Sequence, residues 1–370
     1  MTLQADAPAG WSAEKERSSL RVLRLMRWIA LTAGRRIARA ALHPITLYFL
    51  ATGGITRRES ARYLTRALGR PARLGDVYRH FHCFAATILD RVYLLQERYE
   101  QFELKSDGVE LMDEPLARDD GTLMIGAHLG SFEALRALGR LRGVRVAMIM
   151  YEDNARLINS TLAVLAPKAA LHTIALGRLG AMLSLRHWLD GGGIAGLLGD
   201  RTLPVSSQRS RNHVLPFLGA PASFSDGPFR LAAMLRRPVI FMTGLYNGGH
   251  RYELRFLQLA DFSAANASNR DALVREALVR YVEVLETLCR EAPYNWFNFF
   301  DFWGTEAGAA SAEMLSTESA SAGAVNADAP NTKAASAEAV NTDAANTKAA
   351  SAEAVNAEAA RSESAASDAR

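Results

Sequence analysis

The chain has 370 residues, and its 43 Lys or Arg and 39 Asp or Glu give a formal net charge of +4 at pH 7. A hydrophobic fraction of 49% excludes a chain that is disordered throughout, because that much apolar surface can build a core. Only two cysteines are present, Cys83 and Cys289, and they lie far apart, which excludes a disulfide-stabilised scaffold.

The C-terminal part of the chain differs in composition from the rest. From residue 304 onward it consists mainly of Ala, Ser, Glu, Asn and Thr, and the segment 331–341 recurs identically at 346–356. Such a tract cannot bury a core, so residues 304–370 are predicted to be a disordered tail. Residues 305–370 hold four basic and ten acidic side chains, so residues 1–304 carry a net charge of +10. This excess favours anionic partners: lipid headgroups, phosphorylated substrates, acidic carrier proteins or nucleic acid.

Residues 1–60 are predicted to form a membrane-associating helical region. Residues 14–39 have the spacing of one basic amphipathic helix, and residues 40–56 lack charged side chains but are slightly short for a bilayer span. We expect this region to lie in the membrane interface, without a cleavable signal peptide; the alternative is a basic surface helix packed on its own domain. The predicted basic face carries Arg17, Arg21, Arg24, Arg35 and Arg39, and the opposite face carries Val22, Met26, Ile29, Ala33 and Ile37.

Residues 61–303 are predicted to form one α/β domain, with a mostly parallel mixed sheet flanked by helices. The spacing of His80, His82 and Cys83 matches no metal signature, so no metal or other cofactor is predicted. Apolar runs predict strands at residues 123–127, 144–150, 171–176, 194–198, 239–245 and 252–256. Residues 62–99 are predicted to be rich in helix, and further helices are predicted at 132–141, 154–165, 179–189, 227–235 and 270–290.

The run Gly126–Glu133 places an imidazole and a carboxylate five residues apart, where a predicted strand leads into a predicted helix. A histidine with one ring nitrogen bonded to a carboxylate is more basic and is held in one tautomer. His128 is therefore predicted to be a general base and Glu133 its partner. The alternative is that His128 caps the helix and Glu133 is a first-turn glutamate favoured by the helix dipole. His128 and Asp200 each follow a predicted strand, which places both at one crevice of a parallel sheet.

Four blocks in this order resemble the bacterial lipid A biosynthesis (late) acyltransferases of the lysophospholipid acyltransferase superfamily. They are His128–Glu133 as His-x4-Glu, Gly199–Arg201, Pro216–Pro228 and Pro293–Phe297, and the resemblance covers roughly residues 17–303. It implies a glycerolipid acyltransferase-like fold and catalysis by His128 and Glu133. It also implies a group of substrate-binding residues: Gly130, Ser131, Asp200, Arg201, Arg209, Arg211, Phe217 and Gly219.

The closing aromatic block departs from these relatives. Where they usually carry arginines, this chain has Asn298, Phe299, Phe300 and Asp301. That difference weakens the case for a bis-phosphorylated lipid A acceptor, and it leaves open another amphipathic hydroxyl acceptor, such as a glycolipid or a polyene-type lipid.

The resemblance and the basic N-terminal region together predict a membrane-associated O-acyltransferase at the cytoplasmic face of the bacterial inner membrane. The donor would be a thioester of acyl carrier protein or coenzyme A, and the acceptor a hydroxyl of a lipid or glycolipid, as in lipid A biosynthesis. No covalent acyl-enzyme and no nucleic-acid partner are expected. Two alternatives remain: a non-catalytic membrane-binding protein on the same fold, and a lipid or thioester hydrolase. A hydrolase with Ser131 as nucleophile is disfavoured because Gly-x-Ser-x-Gly is absent.

Overall fold

The computed structural model of the protein describes residues 20–113, 121–151, 172–177, 180–201 and 211–304. The chain divides into two units, and the described residues all belong to Met1–Thr317. They form an α/β structure, and this confirms the predicted mostly parallel mixed sheet flanked by helices. The predicted helix at 154–165 and the predicted tail beyond Gly304 lie outside the described residues.

Three helices precede most of the sheet: α1 is Leu20–Thr52, α2 is Gly54–Leu68 and α3 is Leu74–Leu94. The sequence predicts a boundary near residue 40, but α1 continues through it with Pro44 inside. The irregularity lies earlier, at Gly34, where φ is 80° and ψ is 162°. Glycine adopts this backbone conformation at little cost, whereas an L side chain would be strained. Side chains before and after Gly34 therefore do not share the faces that they would share on one straight helix.

Seven strands form the main sheet, in the order β1-β9-β8-β2-β5-β3-β4. Five of them, β8, β2, β5, β3 and β4, run parallel, whereas β9 is antiparallel to β8 and parallel to β1. Two further strands, β6 and β7, form a separate antiparallel hairpin. The strands are β1 Glu103–Asp107, β2 Leu123–Gly126, β3 Val146–Tyr151, β4 His172–Leu176, β5 Ile194–Leu198, β6 Asn212–Phe217, β7 Ala220–Ser225, β8 Pro238–Tyr246 and β9 Arg251–Asp261.

The predicted strands correspond to β2, β3, β4, β5, β8 and β9, but the sequence pattern missed β1 and the hairpin. The reason for β1 is its exposure: four of its five residues face solvent, so it carries no apolar run. Four helices follow β2 within the described residues, each close to its predicted position. They are α4 Phe132–Leu141, α5 Ala181–Asp190, α6 Gly227–Leu235 and α7 Arg270–Glu291.

Helices cover both faces of the sheet. Alternate residues of β2 belong to different clusters: Leu123 and Ile125 pack with Tyr281 of α7, and Met124 packs with Ala134 of α4. A strand that is covered on both faces must be apolar at every position, and all four residues of β2 are buried. This explains why the central strands are readable from the sequence as continuous apolar runs.

A buried histidine connects α2, α3 and the closing block. The two ring nitrogens of His80 lie 2.8 Å from Ser60 Oγ and 2.8 Å from the Trp296 carbonyl oxygen. Burial lowers the pKa of His80 to about 4, although the hydrogen bond to the Trp296 carbonyl opposes the shift. The imidazole is therefore neutral in the folded protein near neutral pH.

The burial of His80 predicts acid destabilisation. Its pKa is lower in the folded state than the value of about 6.5 in the unfolded chain, so the unfolded state binds more protons between these values. We expect this residue to remove about 3 kcal/mol from the free energy of unfolding as the pH falls from about 6.5 to about 4. Urea unfolding across this range should show a flatter pH profile for His80→Gln than for the native protein. His250→Gln, at an exposed position, should leave the profile unchanged. Identical profiles for the native and His80→Gln proteins would contradict the assignment.

Candidate active site

Two neighbouring parallel strands bring His128 and Asp200 together. Gly126, the last residue of β2, is in register with Leu198, the last residue of β5. The backbone N–H of Gly199 donates to the Gly126 carbonyl oxygen at 2.9 Å. His128 and Asp200 each lie two residues beyond the end of their strand, so they meet at one edge of the sheet. The prediction that these two residues lie together is thereby confirmed.

The contact between them is a hydrogen-bonded pair. His128 Nδ1 lies 2.9 Å from Asp200 Oδ1, and the backbone N–H of His128 donates to Asp200 Oδ2 at 3.0 Å. Trp296 Nε1 donates to the same Oδ2 at 3.0 Å. Burial opposes the charge on Asp200, but His128 and Arg201 outweigh it and hold the pKa of this carboxyl well below its usual range. A charged carboxylate at Nδ1 keeps the proton on Nδ1, so the lone pair is on Nε2.

The predicted pairing of His128 with Glu133 is wrong. Glu133 lies in the first turn of α4, where its Oε1 is 2.7 Å from Arg91 Nε of α3. Since His128 Nδ1 is bonded to Asp200, the carboxylate partner comes from a residue 72 positions away in the chain. Glu133 instead joins α4 to α3, and its first-turn position is favoured by the helix dipole.

Gly130 and Ser131, predicted near the substrate, hold the turn between β2 and α4. Gly130 has a φ of 75°, and a Cβ at this position would lie 2.1 Å from the Gly244 carbonyl oxygen. Only glycine fits here. The Ser131 hydroxyl caps α4 by accepting from the backbone N–H of Ala134 at 3.3 Å, and the residue is buried. A capping serine is hydrogen-bonded and enclosed, which is a further argument against its use as a nucleophile.

Arg201 remains a candidate for binding a substrate anion. It is half-buried beside the His128–Asp200 pair, and its guanidinium lies 5.3 Å from the centroid of the Phe300 ring. Arg211 is exposed and contributes its backbone N–H to Asp226 at 2.8 Å. Arg209 lies outside the described residues.

Phe217 and Gly219, which the resemblance assigns to substrate binding, have structural roles in the fold. Phe217 is fully buried in an aromatic cluster with Trp296 and Trp303. Gly219 occupies the tight turn of the β6–β7 hairpin with a φ of 77°. Both residues therefore serve the fold.

A second histidine–aspartate pair lies at the hairpin, between His213 Nε2 and Asp226 Oδ2 at 3.0 Å. Asp226 also accepts from Arg230 Nε at 2.8 Å and from the backbone N–H of Arg211. Its carboxylate is completely enclosed by these donors and fixes the hairpin to α6, which is a structural role.

The closing aromatic block, residues 293–303, contacts both residues of the His128–Asp200 pair. The backbone N–H of Phe297 donates to the His128 carbonyl oxygen, and that of Gly130 donates to the Asn295 carbonyl oxygen, both at 2.8 Å. Together with the indole of Trp296 on Asp200, these bonds fix both members of the pair. The side-chain oxygen and nitrogen of Asn298 are buried next to this segment, without a hydrogen-bond partner among the described residues. Leaving such a group unpaired costs about 1–3 kcal/mol.

Among the described residues no group of three or more His, Cys, Asp or Glu side chains is arranged to hold a metal ion. His80, for which a metal site was considered, uses both ring nitrogens in the hydrogen bonds to Ser60 and Trp296. Cys83 and Cys289 are buried free thiols.

The predicted basic face of the N-terminal helix is partly wrong. Arg35 forms two hydrogen bonds of 2.9 Å with the buried carboxylate of Asp90 on α3, and Arg39 Nη1 lies 3.8 Å from the same group. Tyr252 also donates to Asp90 at 2.9 Å. These two arginines therefore attach α1 to its own domain. The side chains of Arg17, Arg21 and Arg24 lie outside the described residues.

Helices α1 and α2 expose large apolar side chains instead. The side chains of this apolar set are between 47% and 63% exposed: Trp28, Ile37, Leu47, Tyr48 and Phe49 of α1 and Ile55 of α2. Arg57 and Arg58, two and three residues after Ile55, are exposed as well. No helix in the described part of the chain is both long and apolar enough to span a bilayer.

The sequence matches no model of a known protein family, and a comparison with curated proteins also gives no match. The geometry of the site and the resemblance of the motif blocks are therefore the observations that bear on function.

Proposed function

We propose that the protein is an O-acyltransferase that uses His128 as general base. The observation that carries this proposal is the His128–Asp200 pair. The carboxylate is almost completely buried, whereas 31% of the imidazole surface is exposed. A buried charge on one side of a half-exposed imidazole directs its basic nitrogen, Nε2, towards solvent or substrate. This is the arrangement that general-base activation of a hydroxyl requires.

The proposed reaction has two proton transfers and no covalent enzyme intermediate. His128 Nε2 removes the proton of the acceptor hydroxyl while the hydroxyl oxygen bonds to the carbonyl carbon of the acyl thioester. The carbon–sulfur bond then breaks, and the imidazolium returns the proton to the leaving sulfur. Asp200 stabilises the imidazolium between these steps, because its negative charge is fixed 2.9 Å from Nδ1. Arg201, whose positive charge helps to lower the pKa of Asp200, is the nearby group that we propose to stabilise the oxyanion.

The resemblance of the motif blocks supplies the substrate classes of the proposal. The donor is a thioester of acyl carrier protein or coenzyme A, and the acceptor is a lipid or glycolipid of the lipid A type. The hydrolase alternative uses the same pair with water in place of the acceptor hydroxyl.

Lipid analysis of three strains tests the proposal. The strains are a deletion strain, the deletion strain complemented by the native gene, and the deletion strain complemented by His128→Ala. We expect one lipid class to lose an acyl chain in the deletion and in the His128→Ala strain only. Identical lipids in all strains would contradict it.

The proposed location is the cytoplasmic surface of the bacterial inner membrane. Three observations support this location: the exposed apolar set on α1 and α2, the neighbouring Arg57 and Arg58, and the net charge of +10 on residues 1–304. Exposed apolar side chains beside basic ones are typical of helices that insert shallowly into an anionic interface. The non-catalytic alternative shares this surface but would not depend on His128.

The apolar set predicts the effect of acidic substitutions on membrane binding. Replacing Leu47 and Tyr48 together with Asp should weaken partition onto anionic vesicles by roughly tenfold or more, because both apolar contact and charge attraction are lost. Vesicle cosedimentation measures this. Leu183→Asp on α5, at a position 72% exposed outside the apolar set, is the matched control and should bind as the native protein does. Equal binding by all three proteins would place the membrane contact elsewhere.

A further inference from the structure

A cleft of about 290 Å³ opens next to the catalytic edge of the sheet but is separate from the His128–Asp200 pair. Asn295 forms the wall between them: its side chain lines the cleft, and its carbonyl oxygen accepts from the backbone N–H of Gly130. The cleft residues come from α1, α3, the end of β8 and the closing block: His43, Tyr78, Arg79, His82, Cys83, Tyr246, Asn247, Gly248, Tyr294 and Asn295.

The cleft presents hydrogen-bond donors and positive charge. The imidazoles of His43 and His82 stack with their centroids 4.8 Å apart, and Tyr78 Oη lies 2.6 Å from His43 Nδ1. The guanidinium of Arg79 lies 6.0 Å from the centroid of the Tyr294 ring. Arg39 reaches the cleft wall through its hydrogen bond to the Tyr246 hydroxyl.

No carboxylate lines the cleft among the described residues. The carboxylates behind it are already paired, Asp90 with Arg35 and Asp76 with Arg70. Burial lowers the pKa of His82, and the nearby His43 and Arg39 lower it further, which is the response of a base to a positive environment. Arg79 is exposed, and no carboxylate among the described residues lines the cleft beside it, so its positive charge favours an anion there.

The apolar surroundings indicate what the anion is attached to. Leu47, one helical turn beyond His43, and Tyr48 next to it are exposed, and so is Phe84 on α3, next to Cys83 of the cleft wall. A ligand with a phosphate in the cleft would have its remaining part close to these side chains. Hydrocarbon chains complement them, whereas a free phosphate ion does not.

We propose that this cleft binds the phosphate group of an anionic lipid, with Arg79, His43 and His82 as the binding residues. The inference rests on the proposed membrane association and is independent of acyl transfer. Recognition of phosphate by arginine and imidazole donors uses charge-assisted hydrogen bonds, which are the stronger class of such bonds. The site would hold a lipid at the edge of the sheet where His128 lies.

Calorimetric titration with soluble probes tests the proposal without vesicles or catalysis. Dihexanoyl phosphatidate below its micelle concentration should bind saturably, dihexanoyl phosphatidylcholine much more weakly, and inorganic phosphate more weakly than phosphatidate. Arg79→Gln and His43→Gln should each weaken phosphatidate binding by about tenfold or more, the effect of losing one charge-assisted hydrogen bond. Arg280→Gln, exposed on α7, is the matched control and should bind normally.

The native protein offers a second readout in case a variant fails to fold. In histidine NMR spectra, phosphatidate should shift the ring signals of His43 and His82 and leave those of His172 and His250 in place. Absence of saturable binding, normal binding by folded Arg79→Gln, or shifts confined to other histidines would overturn the proposal. Equal affinity for inorganic phosphate would overturn its lipid component. Unchanged vesicle binding by the Leu47 and Tyr48 variant, with phosphatidate binding intact, would contradict the membrane proposal alone.

Discussion

Replacing Asp200 with Asn is expected to lower the rate of acyl transfer by about 10²- to 10⁴-fold. Asn has the same shape, but its amide would donate to His128 Nδ1 and stabilise the tautomer with the proton on Nε2, where a base needs a lone pair. The variant also loses the charge that stabilises the imidazolium. The measurement is kcat/KM with an acyl thioester donor, together with thermal unfolding to confirm that the protein is folded.

Glu133→Gln is the matched control, because it makes the same acid-to-amide change five residues from His128. Glu133 is paired with Arg91, so its substitution should weaken the contact between α4 and α3 and lower activity far less than Asp200→Asn. If Glu133→Gln loses as much activity as Asp200→Asn while both remain folded, Asp200 is not the only carboxylate serving His128. The assignment made from the geometry would then be contradicted.

Replacing His128 with Ala should cost about 10²- to 10⁴-fold in acyl transfer, because the group that accepts the hydroxyl proton is removed. Once His128 is absent, Asp200 has no imidazolium to stabilise. The double variant His128→Ala, Asp200→Asn should therefore be no slower than His128→Ala alone. Single-turnover rates of the two single variants and the double variant measure this coupling. Losses that multiply in the double variant would show that the residues act independently.

The central sheet was predictable because its strands are buried on both faces. Strands such as β2 and β5 appear in the sequence as continuous apolar runs, and polar residues directly after two such runs indicated one crevice. The order of the strands was not predictable. Only the pairing of β2 with β5, in which Gly126 faces Leu198, brings His128 within 2.9 Å of Asp200.

Glu133 was wrongly predicted as the partner of His128 because it is the carboxylate nearest to His128 in the sequence motif. Glu133 is close in sequence, but the Ser131 cap starts α4 before it, so its side chain leaves the turn and meets Arg91 of α3. Arg91 contacts Glu133 and Trp296 contacts Asp200, and both contacts join parts of the chain that are distant in sequence. No local pattern carries information about such contacts.

The N-terminal helix shows a similar limit. Helical periodicity assumes a straight helix, and the backbone at Gly34 interrupts it, so residues on either side no longer share the predicted face. Arg35 and Arg39 meet Asp90, more than fifty positions later, because α1 packs along α3. The sequence pattern placed Ile37 on an apolar face and four other members of the exposed apolar set in an uncharged segment, but it did not show which side chains remain exposed.

The proposed function requires that His128 serves the transfer of an acyl chain to a lipid hydroxyl. The measurement is mass spectrometry of the products formed when the purified full-length protein is incubated with acyl carrier protein or coenzyme A thioesters and with vesicles of bacterial inner-membrane lipids. If His128 is the general base, the native protein forms a new O-acyl lipid ester, and folded His128→Ala forms about 10²- to 10⁴-fold less of it. Release of free fatty acid alone, or the same ester yield from both proteins, would contradict it.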